Sequence, residues 1–316
     1  MSTGIDIGTS EIKLIELSKI NNNPAVAKIC SKSTWDDLNT FDPEKLEKAN
    51  WVASIKDICS EVKINPKRIK SITSAISGRN LSVKEITTLE MNEDELFQSL
   101  EFEAKKHIPL DGTKVIMDYH IIGENTKEVG KIDVLLVATT KNLINQHNQL
   151  LSEIGFKKTG IFDATPIAIT NLLLHTKGMP EEGTDVILNI GNKSSTIIAF
   201  GNNQEYFTRE LNISGHHFNQ QIMKKNDISY SDAENLKKEK GINSFNTSKS
   251  SSETDFSIQV AEKTIFDNLV EEIRKTLRYY MKTNPQAYFN KLYLTGGSAN
   301  LIGLRDLIST NRQGKL

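Results

Sequence analysis

The sequence predicts a mixed α/β fold of two similar lobes closing on one ligand, with a compact βαββαβ block inserted in the first lobe. Three observations predict it. An apolar strand turns at Gly8-Thr9-Ser10 into a second strand, Ile12 to Leu17. The same form recurs as Val186 to Ile190, a polar turn from Gly191 to Ser195, and Ile197 to Phe200. A late strand, Leu292 to Leu294, then runs into Gly296-Gly297. A repeated strand-turn-strand unit implies two halves, each supplying a loop to a shared ligand.

Residues 1–80 form the expected first lobe, with three strands, a helix from about Pro43 to Val62 and a strand from Ile69 to Ile76. The inserted block, residues 81–163, reads as strand Leu81 to Thr88, helix Glu93 to Lys106, strands Val115 to Gly123 and Ile132 to Thr139, helix Lys141 to Ile154, and strand Lys157 to Phe162. Pro109 bounds its first helix, and the polar stretch Glu124 to Gly130 separates two strands. Residues 164–183 hold a return helix, Thr165 to His175, and a glycine-bounded linker.

The second lobe, residues 184–295, continues from its hairpin through strand Glu205 to Leu211 and helices His216 to Lys225 and Ser231 to Lys240. A helical subregion is expected at about 226–255. Its end, Ser244 to Asp255, is rich in Ser, Thr and Asn and reads as a loop without a core. A long helix from about Phe256 to Lys282 precedes the last strand. Residues 296–316 carry the glycine turn and a helix with Leu301, Leu304 and Leu307 on one face.

The 39 basic and 40 acidic side chains leave a net charge of −1, so no electrostatic footprint for nucleic acid stands out. Lys237-Lys238-Glu239-Lys240 mixes signs as a solvated helix face does. The two cysteines, Cys30 and Cys59, lack metal-ligand spacing and read as reduced thiols of a cytoplasmic protein. His107, His216 and His217 likewise read as ordinary polar residues. No apolar run approaches the length of a membrane span, and any membrane contact is expected through partners.

A small-residue hairpin lets backbone N–H groups face an anion. Gly8 removes the Cβ that would block approach, Thr9 and Ser10 add hydroxyls, Lys13 neutralises phosphate charge, and Asp6 can hold Mg²⁺ through water. Gly215 opens a helix whose first N–H groups suit phosphate, although glycine there also serves as a plain cap. Glu234 and Lys237, three residues apart, reach one ligand or form a surface ion pair. Gly296-Gly297 after a strand allows close approach of a base or ribose.

These stretches together resemble the nucleotide grip of the actin-like ATPase fold. Over nearly its whole length the chain is similar to the PilM family of type IV pilus assembly proteins, relatives of the division protein FtsA. The likeness rests on Gly4-Ile-Asp-Ile-Gly8 with Lys13, on LFQSLEFEAKKHIP from Leu96 to Pro109, and on Met117-Asp118-Tyr119. It continues in Asp133 to Ala138, Gly155-Phe156, Phe162-Asp163, Gly215, Ala233-Glu234 with Lys237, Leu294 to Ala299 and Gly303-Leu304.

The resemblance implies ATP with Mg²⁺ in a cleft between the lobes. It places phosphate contacts on Gly8, Thr9, Ser10, Gly191 and Ser195, and adenosine contacts on Glu234, Lys237, Gly296, Gly297 and Ser298. It also implies a groove beside the inserted block for the cytoplasmic N-terminal peptide of PilN, and other pilus platform proteins and motor ATPases as further partners. The location would be the cytoplasmic face of the inner membrane.

Asn189 stands where actin relatives usually carry a second aspartate, so its hold on Mg²⁺ is weak and ATP turnover is expected to be slow at most. Family members usually continue beyond the helix after the glycine turn, so the end at Leu316 is expected to leave a core edge open. Besides the scaffold reading, a filament-forming FtsA-like protein and a small-molecule kinase using a carboxylate such as Asp163 or Asp118 remain open.

Overall fold

In the computed structural model the described residues are 2–108, 112–157, 159–245 and 264–312. Contacts divide the chain into two units. The first comprises Met1–Asp36, Glu44–Glu182 and Ile198–Thr208; the second comprises Asp37–Pro43, Gly183–Ile197 and Arg209–Leu316.

The first unit is built on strands β1 (Ser2–Ile7), β2 (Glu11–Ile20), β3 (Asn23–Ser33), β4 (Ile72–Ile76) and β8 (Thr159–Ala164). They form a five-stranded sheet in the order β3-β2-β1-β4-β8. β1 and β2 pair antiparallel, as do β2 and β3, whereas β4 runs parallel to both β1 and β8. Helices α1 (Lys48–Glu61) and α3 (Lys141–Ile154) belong to the same core. Ile5, Ile12 and Leu14 of the sheet are buried together with Val52, Ile55 and Ile58 of α1 and Leu150, Leu151 and Ile154 of α3. The helix expected from about Pro43 begins only at Lys48, where Glu47 and Asn50 close a capping box.

Strands β5 (Leu81–Leu89), β6 (Val115–Glu124) and β7 (Lys131–Thr140) make a separate antiparallel sheet in the order β5-β7-β6. Helix α2 (Glu93–His107) covers it. The two periodicities meet in one cluster: Leu96, Leu100 and Ala104, four apart on the helix, and Ile132, Val134, Leu136 and Ala138, alternating along β7. Asn92 caps α2 by accepting from the Glu95 N–H at 3.0 Å. The expected six-element block is therefore divided. β5, α2, β6 and β7 share one core, while α3 buries its apolar face with α1 and β8 pairs with β4.

Helix α4 (Thr165–Lys177) leads to the second sheet, formed by β9 (Thr184–Ile190), β10 (Ser195–Gly201), β11 (Gln204–Leu211) and β12 (Phe289–Thr295) in the order β11-β10-β9-β12. This repeats the β3-β2-β1-β4 order, and β12 runs parallel to β9 as β4 does to β1. β9 is buried along nearly its whole length, as its run of Val186, Ile187 and Leu188 requires.

Helices α5 (Gly215–Asn226), α6 (Tyr230–Lys240), α7 (Ile265–Thr283) and α8 (Leu304–Arg312) complete the second unit. Phe218 of α5 meets Phe266 of α7 with ring centroids 4.8 Å apart. Ser244 and Phe245, expected to begin a coreless loop, are instead buried, with the Phe245 ring 4.8 Å from Phe266 and its carbonyl accepting from Lys225 Nζ. The rest of that stretch, Pro109, and the first part of the expected long helix lie outside the described residues.

Candidate functional site

In the first unit, the turn after β1 brings Gly8, Thr9 and Ser10 together. A Cβ on Gly8 would lie 2.5 Å from the Glu11 carbonyl oxygen, so the backbone closes on itself too tightly for any side chain. Three successive carbonyls are held by donors of the same unit. Trp51 Nε1 donates to Gly8 O at 3.0 Å, Thr34 Oγ1 to Thr9 O at 2.5 Å, and the Thr34 N–H to Ser10 O at 3.1 Å. The turn is thus fixed from behind, with the oxygens that would repel an anion directed into the unit.

Asp6 and Lys13 face each other across the β1–β2 ladder. Lys13 Nζ lies 3.4 Å from Asp6 Oδ2 and 3.6 Å from Glu11 Oε2, with the side chains of all three about half exposed. At that exposure the pairing is worth about 1 kcal/mol or less. Lys13 is therefore cheaply redirected toward a stronger anion such as phosphate.

In the second unit, Asn189, Gly191, Ser195, Gly215, Gly296 and Ser298 meet in one corner. The Gly215 N–H donates to Gly191 O at 2.9 Å, the His216 N–H to Asn192 O at 2.9 Å, and the Ser298 N–H to Ile190 O at 3.2 Å. A Cβ on Gly215 would lie 2.8 Å from Ser298 Oγ, and one on Gly296 would lie 2.6 Å from Asn189 Oδ1. These glycines let two strand ends and a helix start converge. Gly297 differs: a Cβ there meets nothing within 4 Å, so its missing side chain leaves open space.

Several expected phosphate donors in this corner are engaged internally. The Gly191 N–H donates to Ser194 O at 3.0 Å, and the buried Ser195 hydroxyl donates to Ile213 O at 2.5 Å. A phosphate contact through Gly191, Ser195 or Gly215 requires these bonds to open. Asn189 sits opposite Thr295 in the β9–β12 ladder with its side-chain oxygen toward Gly296.

Glu234 and Lys237 lie on one face of α6, with Lys237 Nζ donating to Glu234 Oε2 at 2.6 Å. Their side chains are 18% and 8% exposed, so this is not a solvated surface pair. Burial opposes the charge of each partner first. The nearby Lys237 ammonium nevertheless leaves the Glu234 carboxyl below its ordinary pKa, while desolvation leaves the Lys237 ammonium below its own. Asn219 of α5 donates from Nδ2 to the same Glu234 oxygen at 2.7 Å. The sequence reading missed Asn219; its only signal is an amide flanked on the buried face of a helix by Phe218 and Ile222. It also missed Trp51 and Thr34, which are distant in sequence from the turn they hold. His216 stacks on Tyr230 at 5.7 Å, and His217 Nδ1 lies 2.7 Å from Ser214 Oγ.

These features fit a nucleotide in two respects. A glycine opens space at residue 297, and a buried polar atom, Asn219 Oδ1, has no hydrogen-bond partner. For Mg²⁺, no group of three or more His, Cys, Asp or Glu side chains among the described residues could form a cage. Asp6 would then act as a single carboxylate beside phosphate oxygens, the usual way Mg²⁺ is held with nucleotides.

The repeated sheet order and its glycine turns define a protein with a mixed α/β, actin-like fold. The chain belongs to the PilM family of type IV pilus assembly proteins, whose family model matches residues 4–315. Among solved structures it is similar to the PilM-PilN type IV pilus biogenesis complex, with a TM-score of 0.78 and 21% identity over 98% of this chain and 85% of that chain. It is also similar to the ethanolamine utilization protein EutJ from Carboxydothermus hydrogenoformans, with a TM-score of 0.54 and 13% identity over 98% of this chain and 81% of that one.

Proposed function

We propose that the protein is an ATP-binding scaffold of type IV pilus assembly whose nucleotide state sets its affinity for the N-terminal cytoplasmic peptide of PilN. The observation that carries the nucleotide part is the buried Glu234–Lys237 pair with Asn219, a polar cluster too desolvated to be a surface ion pair. Adenosine recognition is assigned to Glu234, Lys237, Gly296, Gly297 and Ser298. Phosphate recognition is assigned to Gly8, Thr9, Ser10, Lys13, Gly191, Ser195 and Gly215. Mg²⁺ bound with the phosphates would neutralise their charge, with Asp6 holding it through water and Asn189 adding only a neutral oxygen. A neutral amide at that position favours binding over turnover.

The partner assignment draws on family membership and on the likeness to a PilM-PilN complex. No helix among the described residues is long and apolar enough to cross a membrane, so we assign attachment to the inner membrane to PilN and other platform proteins rather than to those helices. ATP can alter peptide affinity only by binding two conformations unequally. The test is a fluorescence titration of the full chain with the PilN N-terminal peptide from the same genome, with and without Mg-ATP. A nucleotide-dependent shift in affinity is expected. Peptide affinity that is identical in both conditions would end the scaffold reading, and absence of nucleotide binding would end its ATP component.

A further inference from the structure

We propose that β6 is a self-pairing edge: two copies of the chain join antiparallel along it, related by a two-fold axis at Tyr119, so that the three-stranded sheet continues across the pair. β6 closes one side of the β5-β7-β6 sheet. The other side is already engaged within the first unit, where the Tyr206 N–H donates to Glu85 Oε2 and Thr208 Oγ1 to Val83 O.

The ladder fixes which backbone groups β6 turns outward. The Lys141 N–H donates to Lys114 O at 2.8 Å and the Asn125 N–H to Lys131 O at 2.8 Å, which places the bonds between β7 and β6 at odd-numbered residues of β7. Val134, Leu136 and Ala138 therefore stand at non-bonded pairs, and their partners Ile121, Tyr119 and Met117 direct N–H and C=O groups away from β7. A second β6 bonds to those groups.

An edge of this kind invites another strand, and the side chains select which one. In the antiparallel register centred on Tyr119, Asp118 of each copy stands opposite His120 of the other, Met117 opposite Ile121, and Ile116 opposite Ile122. Ile116 and Ile122 are 42% and 51% exposed, and Asp118 and His120 are exposed as well. Asp118 and His120 meet at a non-bonded pair, where side chains approach closest, and an imidazole N–H donates to a carboxylate whether or not the ring is protonated. The two-fold axis makes that contact twice. The strand thus complements its own reverse, apolar with apolar and acceptor with donor, as an isologous interface requires. In the single chain Asp118 Oδ1 instead accepts from the Tyr119 N–H at 2.9 Å, covering the donor at the centre of the edge. Pairing replaces that local bond: Asp118 turns to His120, and the Tyr119 N–H is met by the facing Tyr119 carbonyl. The register shift between Ile121 and Gly123 marks the outer limit of the paired stretch.

The test is sedimentation equilibrium of the full chain over a concentration series, for the unchanged protein, His120→Asp, the exchange of Asp118→His with His120→Asp, and Ile121→Pro. The unchanged protein is expected to form a dimer. His120→Asp sets carboxylates opposite each other twice and should weaken the dimer by about tenfold or more, while the exchange restores the complement and recovers it. Ile121→Pro removes an outward donor without breaking a bond to β7, so the fold, checked by circular dichroism, is kept and the dimer weakens. A chain that is monomeric at every concentration overturns the proposal, as does a dimer indifferent to these substitutions or an exchange that fails to recover it. If the chain is monomeric and Ile121→Pro weakens binding of the PilN N-terminal peptide, the edge belongs to that peptide instead. None of these outcomes depends on ATP binding.

Discussion

The backbone N–H of Tyr206, in β11, donates to Glu85 Oε2, in β5, at 2.7 Å. Thr208 Oγ1 donates to the Val83 carbonyl at 2.9 Å, and the Tyr206 hydroxyl lies 3.2 Å from Thr170 Oγ1. A strand of the second sheet is thus bracketed to the edge of the three-stranded sheet within the first unit. Burial raises the Glu85 carboxyl above its ordinary pKa, with the Tyr206 N–H opposing and Asp133 and Glu205 adding to the rise. The folded state therefore binds the Glu85 proton more tightly than the unfolded chain does. Its contribution to stability is full below the ordinary glutamate pKa and is lost as pH rises through the raised folded value.

Glu85→Gln keeps an acceptor for Tyr206 and removes the titration. Urea unfolding at pH 5 and pH 8 should show it at least as stable as the unchanged protein at pH 8, with a smaller difference between the two pH values. Glu85→Ala leaves the Tyr206 N–H unpaired and should lose about 1–3 kcal/mol at both. Equal stability of the glutamine and alanine variants would show that the bracket carries no weight.

Gly296 has φ +88° and packs against the carbonyl of Ile190 and the side chain of Asn189. Gly296→Ala imposes both a left-handed backbone on a Cβ-bearing residue and a clash with main chain, costing about 2 kcal/mol or more. Gly297→Ala adds a methyl group to open space and should leave thermal stability nearly unchanged while weakening ATP binding. A Gly297→Ala protein that binds ATP normally would remove residue 297 from the adenosine contacts.

His147, on α3 of the first unit, has Nδ1 3.3 Å from Ser74 Oγ of β4 and its ring edge-on to Phe162 of β8 at 6.1 Å. Burial holds its pKa below the ordinary histidine value, so the folded state keeps it neutral. The unfolded chain takes up that proton first. Stability is full above the ordinary value of about 6.5 and falls as pH drops through the depressed folded value. His147→Gln should flatten the fall in urea midpoint between pH 7.5 and pH 5.5. An unchanged slope would assign the acid sensitivity elsewhere.

Cys59 is buried in the core of the first unit, where desolvation pushes its thiol up to about 11. Thiolate is the reactive form, so alkylation at pH 8 should leave Cys59 unmodified in the folded protein and modify it in denaturant. Cys30 is partly exposed with its thiol also raised, so it should react more slowly than a free thiol in the folded protein and like a free thiol in denaturant. Mass spectrometry of the peptides distinguishes the two. Rapid labelling of Cys59 without denaturant would indicate that this core opens locally.

The element order and the glycine turns were legible in the chain because they are local. Alternation along Ile132 to Ala138 and four-residue spacing along Leu96 to Ala104 depend only on which face is buried, and Gly8 is demanded by a contact with Glu11 three residues away. The repeat of one hairpin design likewise reappeared as one strand order in two sheets. Partner choice was not legible. Whether α3 and β8 joined the inserted sheet or the first sheet depended on which apolar face found α1 and which strand edge found β4, and periodicity carries no address. The same holds for the site. Glu234 and Lys237 read as a surface pair or as two groups reaching one ligand until the fold brought Asn219 against them and removed water, and desolvation is a property of the packed structure rather than of spacing along a helix.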